Sequence, residues 1–494
     1  MEKYKMCRKD SVIPMESIWK MTAKKQIETK VLDRTEAETV VIGAGMAGIL
    51  TAYFLHRHGN DVIVLEADEV GSGQTGNTTA KITSQHGLIY NKLLQNQGIE
   101  FARLYAKANE EAIRSYKTLI DKEKISCDFE KKPAYLYTKK NFHDLMVEGE
   151  IANRLGISMA LVMETDLPFE IEGALCFEHQ AQFHPLKFLY GLAEKLPVYE
   201  HTKVLKVERN IVETEKGNIK AKNIIFAVHY PFVNRPGYYF LRMHQERSYA
   251  LAVEGAAQLN GMYLGIDEDG LSFRGYEDLL IIGGQGHRTG ENPFGGQYEK
   301  LQGEAKKFFG GVTEKARWSA QDCITLDDIP YVGNFSKSTP DWYVATGFRK
   351  WGMTGSMAAA KLLTDKILGR ENEYEKLLSP QRKLVSQSRK NFVYDSLYSG
   401  VHLSKRIFKS AKEDIGDLQP GHGGIVEYKG KKAGAYKTED GEIFLVDIKC
   451  PHLGCQLEWN AEEKTWDCPC HGSRFDYMGE LINNPAQEGI GDKS

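Results

Sequence analysis

The stretch ETVVIGAGMAGILTAYFLHRHGNDVIVLEAD, residues 38–68, restricts the fold more than any other part of the chain. Val40 to Ile42 form a short apolar run ending at Gly43, and Gly43, Gly45 and Gly48 have the spacing G-x-G-x-x-G. Ile49, Leu50, Tyr53 and Phe54 then recur at helical spacing until Gly59, and Val62 to Leu65 reads as a second buried strand closed by Glu66. Glycines at these places permit a tight turn, close approach of backbone to a pyrophosphate, and close packing of helix on strand. The helix start offers its dipole to phosphate, and Glu66 is placed to accept from a ribose hydroxyl. A glycine triplet alone says little. Strand, triplet, helix, strand and acid in one unit of about thirty residues is a specific signature of dinucleotide binding. It does not choose between FAD and NAD. The glycine-rich IIGGQGHRTG at 281–290 is followed by Pro293 and two more glycines, so no helix opens there and no second such unit is expected.

Three further stretches carry a resemblance. GSGQTGNTTAKIT at 71–83, DDIPYVGNF at 327–335 and VATGFRKWGMTGSMAAAKLL at 344–363 are similar to segments of the FAD-dependent amino-acid and amine oxidoreductases. That family includes the D-amino-acid, glycine and sarcosine oxidases and the γ-glutamylputrescine oxidases, and the likeness runs from about residue 15 to 370. It implies FAD as the dinucleotide and an α/β Rossmann-like FAD-binding fold with an antiparallel-sheet substrate domain (α+β). It also implies that Gly352, Met353 and Thr354 approach the pyrimidine side of the flavin, with a helix starting near Thr354 aimed at the ring. Some relatives attach flavin through a cysteine. Cys323 lies too close to Thr325 to match that position, so it reads as a structural thiol and the FAD as non-covalent.

Between these segments, residues 102–120 read as an amphipathic helix with Leu104, Ala108, Ala112 and Tyr116 on one stripe. Residues 198–228 alternate like strands joined at a Lys-Gly-Asn turn, and 249–282 continue in short strands; the resemblance assigns this mixture to the sheet that roofs the flavin. No Ser-His-Asp set or carboxylate pair stands out, and none is required where the cofactor carries the chemistry. Candidates to face substrate are Arg349, as a carboxylate clamp, His287, at the end of a buried strand, and Lys81, on the segment passing the flavin. His86, His179 and His184 read as satisfied polar residues.

Near the C-terminus, CPHLGC at 450–455 and CPCHGS at 468–473 hold four of the eight cysteines; Cys7, Cys127, Cys176 and Cys323 are scattered singly. Cys450 and His452 form C-x-H, and Cys468 and His471 form C-x-x-H. Two cysteines and two histidines suit a Rieske [2Fe–2S] centre, each pair holding one iron; the same four also suit tetrahedral zinc. The surrounding sequence breaks into short alternating strands at glycine turns, as an all-β domain over 417–494 should. It resembles the Rieske family of the respiratory cytochrome type. The resemblance implies that Cys455 and Cys470 form a disulfide, that Ser473 hydrogen-bonds a bridging sulfide, and that the loop at Pro485 covers the cluster. High-potential members carry a tyrosine where this chain has Phe475, so a potential below the top of a range of about −150 to +300 mV is expected. A buried disulfide of this kind resists a reducing cytosol.

The sequence thus divides into an N-terminal extension (1–38), an FAD-dependent oxidoreductase domain (39–370), a basic helical linker (371–416) and the Rieske domain. In the linker, Phe392, Tyr394, Leu397 and Tyr398 suit packing between domains or contact with a membrane surface. A net charge of −3 supplies no basic field for nucleic acid, and no uncharged apolar run reaches 18 residues. Isolated cysteines and a charged start without an apolar core fit a cytoplasmic protein. The expected partners are a small amine or amino-acid substrate and a one-electron donor or acceptor, protein or quinone. The leading expectation is oxidation of a C–N bond with electrons leaving singly through the cluster. Two others stand beside it: a reductase fed through the cluster, and an oxidase whose Rieske domain senses or docks.

Overall fold

The computed structural model describes residues 15–25, 27–28, 30–383, 385–408 and 413–491. Its first layer is a parallel sheet built on β1 (Glu36–Ile42), α1 (Met46–Arg57) and β2 (Val62–Leu65). β2 pairs with Val198–Tyr199 on one side and β1 on the other, and β1 pairs in parallel with β3 (Gly217–Phe226). Residues 198–226 therefore belong to the nucleotide-binding sheet, a correction to their expected place in the roof. The reason is visible in β3: Ile224, Ile225 and Phe226 are all buried, as in a parallel strand covered on both faces. Alternation persists only in its N-terminal half, which forms a ribbon with Ile211–Thr214.

The second sheet is mostly antiparallel and has eight strands. Its edge nearest the nucleotide layer carries β4 (Met243–Glu254), β5 (Leu279–Arg288), then, after helix α2 (Gln297–Phe309), β6 (Thr313–Thr325). β6 is the edge strand and β4 lies between it and β5. Period-two alternation gives β4 two unlike faces. Ala250 and Ala252 pack into the core shared with the nucleotide layer, while Tyr249, Leu251 and Val253 pack against α2. Gln245 and Arg247 share the second face by parity, opposite Cys323 and Gln321 of β6.

The first sheet is completed by β7 (Thr339–Thr346), parallel to β3, and the chain then turns through Gly347 into α3 (Gly352–Ile367). α3 begins two residues before Thr354 and packs on α1. The 25-residue helix Ile99–Glu123 packs on α3, turning Tyr116 and Ala112 inward as the stripe predicts.

The C-terminal region is two four-stranded sheets of short strands, one between Glu413 and Val446 and one between Glu458 and Asn483. Trp466, Phe475 and the cysteines form its core. Between it and the flavin-type domain runs α4 (Ser386–Phe408). Asp395 of α4 bonds both Arg288 (2.8 Å) and His244 (3.2 Å), and Tyr398 lies under the Arg288 guanidinium. Val393, Tyr394 and Leu397 stay exposed, so one side of α4 docks and another faces solvent. No helix among the described residues is long and apolar enough to cross a membrane.

Candidate functional site

A cavity of about 1190 Å³ opens at the β1–α1 turn and wraps round the free edge of β6. Gly43, Gly45, Glu66, Gly352 and Met353 line it, together with Arg349, Lys350 and residues 318–323. Gly43 has φ +104°, and a Cβ on Gly48 would sit 1.9 Å from the Gly43 carbonyl oxygen. Only glycine at both positions lets α1 start this close to the turn, where the Met46 N–H donates to the Thr75 hydroxyl at 3.0 Å. Glu66 accepts from the N–H of Ala44 (2.7 Å) and of Asp68 (3.0 Å), and burial pushes its carboxyl above the usual range. A helix start held this close to a glycine turn, beside a buried acid, fits an adenine dinucleotide. Thr354 points elsewhere: its hydroxyl donates to Thr83 O (3.2 Å), away from the cavity.

The three residues expected to face substrate separate. Arg349, at φ +51°, lines the cavity with its Nε 3.2 Å from Asp328, and burial lowers its pKa. Lys350 beside it pairs with Asp322 at 2.7 Å; burial opposes its charge, but Asp322 and Glu246 outweigh that and hold it protonated. His287 is not among the lining residues. A bulge at Gln285, φ +55°, inserts one residue and turns His287 to the far face, where it meets Tyr249 Oη at 2.9 Å. Lys81 is also absent from the lining: its ammonium is buried against Ser272 and the Tyr263 carbonyl, and burial lowers it to about 7. His86 stacks on Trp351 and bonds Tyr105, and His184 caps a helix, both as satisfied polar groups; His179 is exposed.

The C-terminal ligand candidates converge. Cys450 and Cys468 are free, buried and hydrogen-bonded to each other, and the bond from Cys468 draws the Cys450 thiol below its usual range. The imidazoles of His452 and His471 stand 4.9 Å apart. Burial lowers them to about 4 and about 3, so both are neutral, as metal ligands must be. In each, Nδ1 is buried without a hydrogen-bond partner. Orphaned, buried ring nitrogens on the same two loops as a buried thiol pair fit a metal cluster, since buried polar atoms otherwise find partners. Cys455 and Cys470 are joined as a disulfide. The sulfurs of Cys455, Cys468 and Cys470 also lie within 4.8 Å of one another, but two of them belong to that disulfide, so this trio holds no ion. The Ser473 hydroxyl reaches Cys450 and accepts from the Ala486 N–H at 3.0 Å.

The two sites share a wall, which sequence reasoning missed. Gln245 Nε2 donates to the His471 carbonyl (2.5 Å), and its Oε1 accepts from Gln321 (2.5 Å) and from His229 Nε2 (2.9 Å). Gln321 also donates to the Gly472 carbonyl at 2.8 Å. His229 and Gln321 both line the cavity. Farther out, Arg247 and Arg474 grip Glu463, which burial would raise but which these cations hold near 2. Glu462 caps α2 through the N–H of Gln297 at 2.8 Å, and Lys203 holds the Gln487 carbonyl at 2.8 Å.

Fold and site together define a dinucleotide-dependent redox protein with a docked iron–sulfur module. Residues 38–366 match the family "FAD dependent oxidoreductase" and 411–492 match the Rieske [2Fe-2S] domain. The chain belongs to that FAD-dependent oxidoreductase family and carries a C-terminal Rieske domain; FAD and a [2Fe–2S] cluster are its cofactors. It is 37% identical over 488 residues to the putative Rieske 2Fe-2S iron-sulfur protein YhfW of Bacillus subtilis, covering 95% of this chain and 96% of that one. Its fold resembles L-proline dehydrogenase from P. horikoshii, with TM-score 0.60 at 18% identity over 70% of this chain and 97% of that one. It also resembles glycine oxidase from Geobacillus kaustophilus, with TM-score 0.61 at 16% identity over 71% and 100%.

Proposed function

We propose that the protein dehydrogenates a C–N bond of a small amine or amino acid and passes the electrons singly to a protein or quinone acceptor, working in the cytoplasm. The carrying observation is the shared wall: residues that line the flavin cavity, His229 and Gln321, are one side chain or none away from the backbone of the cluster loop 468–473. Bound FAD supplies hydride acceptance, and the bound cluster supplies one-electron transfer.

The chain's own residues supply orientation. Arg349 lines the cavity with its backbone N–H held by the Cys323 carbonyl and its Nε beside Asp328, suited to receive a carboxylate through two parallel hydrogen bonds. The Lys350–Asp322 pair beside it offers one charge of each sign, which suits a zwitterion. The two solved neighbours bear the names of enzymes of proline and glycine, both amino acids. The isolated thiols of Cys127, Cys176 and Cys323 support a reducing compartment.

The test is anaerobic addition of glycine, proline, D-amino acids and short amines to the holoprotein, following flavin absorbance and the cluster's EPR signal. The reading expects flavin bleaching followed by cluster reduction within one turnover. Bleaching beside a cluster that stays oxidised would overturn the electron route, and no bleaching by any amine would overturn the substrate class.

A further inference from the structure

The outer nitrogens of the two ligand imidazoles do not face solvent. His452 Nε2 lies 2.7 Å from Asn234 Oδ1, and the backbone of Phe240 hydrogen-bonds the His471 ring. Asn234 and Phe240 belong to the flavin domain, on the loop that joins β3 to β4. The Phe240 ring stands edge-on to both imidazoles, with centroids 6.1 Å and 5.8 Å away. One loop of the first domain therefore engages both histidines of the second.

We propose that the flavin domain completes the cluster's environment, and that Asn234 is a positioning residue that sets the cluster's potential through His452. The proposal rests on the reading of Cys450, His452, Cys468 and His471 as ligands, not on any substrate. Its chemistry follows from the tautomer. A neutral imidazole carries one N–H; the amide oxygen facing Nε2 can only accept, and Nδ1 has no partner. The proton therefore sits on Nε2 and donates to Asn234, which orients the amide oxygen toward the ring. An acceptor on the outer nitrogen makes the ligating nitrogen a stronger donor, as second-layer partners of metal-bound histidines do. Stronger donation stabilises the oxidised cluster and lowers its potential. The backbone carbonyl of Asn234 serves the Tyr238 N–H at 3.3 Å, and its side-chain oxygen serves His452.

The experiment is a mediated dithionite titration of the holoprotein without substrate, monitored by EPR of the cluster and absorbance of the flavin. Asn234→Ala removes the acceptor and is expected to raise the cluster midpoint. Asn234→Asp supplies a stronger, anionic acceptor and is expected to lower it. The flavin midpoint should stay put in both. Opposite signs from two substitutions at one position are not produced by mere loosening of the domains. Shifts in the same direction, or none, would overturn the proposal. Should Asn234→Ala fail to assemble its cluster, Asn234→Asp carries the test alone: a fall supports the proposal, and a rise or no change overturns it. Because no amine is added, the outcome is independent of whether the substrate reading holds.

Discussion

At the scale of single residues, the sharpest constraints are steric and electronic. A methyl group on Gly48 would collide with the Gly43 carbonyl oxygen at 1.9 Å, and that oxygen belongs to backbone that cannot move without opening the turn. Gly48→Ala should cost about 3 kcal/mol and purify largely without flavin, read as the ratio of FAD to protein. Ser473 is wholly buried and its hydroxyl donates toward the Cys450 sulfur. Hydrogen bonds to ligand sulfur favour the reduced cluster. Ser473→Ala should therefore lower the midpoint by roughly 60 mV, a charge-assisted bond of about 1.5 kcal/mol converted for one electron. Phe475, buried in the same core, has no hydroxyl to contribute a second bond.

At the scale of elements, α2 shows how one domain finishes another. Its first turn has no side-chain cap of its own, and Glu462 of the Rieske domain fills the place, accepting from the N–H groups of Gln297 and Tyr298. Glu462→Ala should cost about 1 kcal/mol and speed hydrogen exchange in the first turn of α2 while leaving the far end unchanged. Elements of this kind mark the limit of what was legible in sequence. The β1–α1–β2 unit and the two Cys/His pairs were readable because their partners are near in the chain and each residue type has one plausible task. The ribbon ending in β3 was readable as strands but not by sheet, since alternation in its first half masked the buried run at Ile224–Phe226. His287 was misplaced because a bulge at Gln285 resets the face, and nothing in GGQGH announces which glycine or glutamine will take positive φ. Lys81 lies on the expected segment, yet burial against Ser272 decides its direction. The shared wall was invisible: Gln245 and His471 are 226 residues apart, and glutamine carries no pattern that points to a partner.

At the scale of the whole molecule, the domains are clamped by buried charge as well as by shape. Arg247, Arg474 and Glu463 are each less than a tenth exposed, so removing one partner strands the others. Glu463→Gln should cost roughly 3 kcal/mol near pH 7. The sign with pH follows from its depressed carboxyl, held near 2 against an ordinary 4.5. Its contribution is full above pH 4.5 and fades as pH falls toward 2, so the difference between the wild type and the variant should shrink across that interval in unfolding titrations.

The tail 480–489 also walls the cavity beside Thr202 and Lys203, and Lys203 fastens it. The module that carries the iron site thus doubles as the door behind which the organic cofactor is kept. Protein made under iron starvation should shed its yellow colour on dialysis while the iron-replete form keeps it, tying the supply of one nutrient to the retention of another.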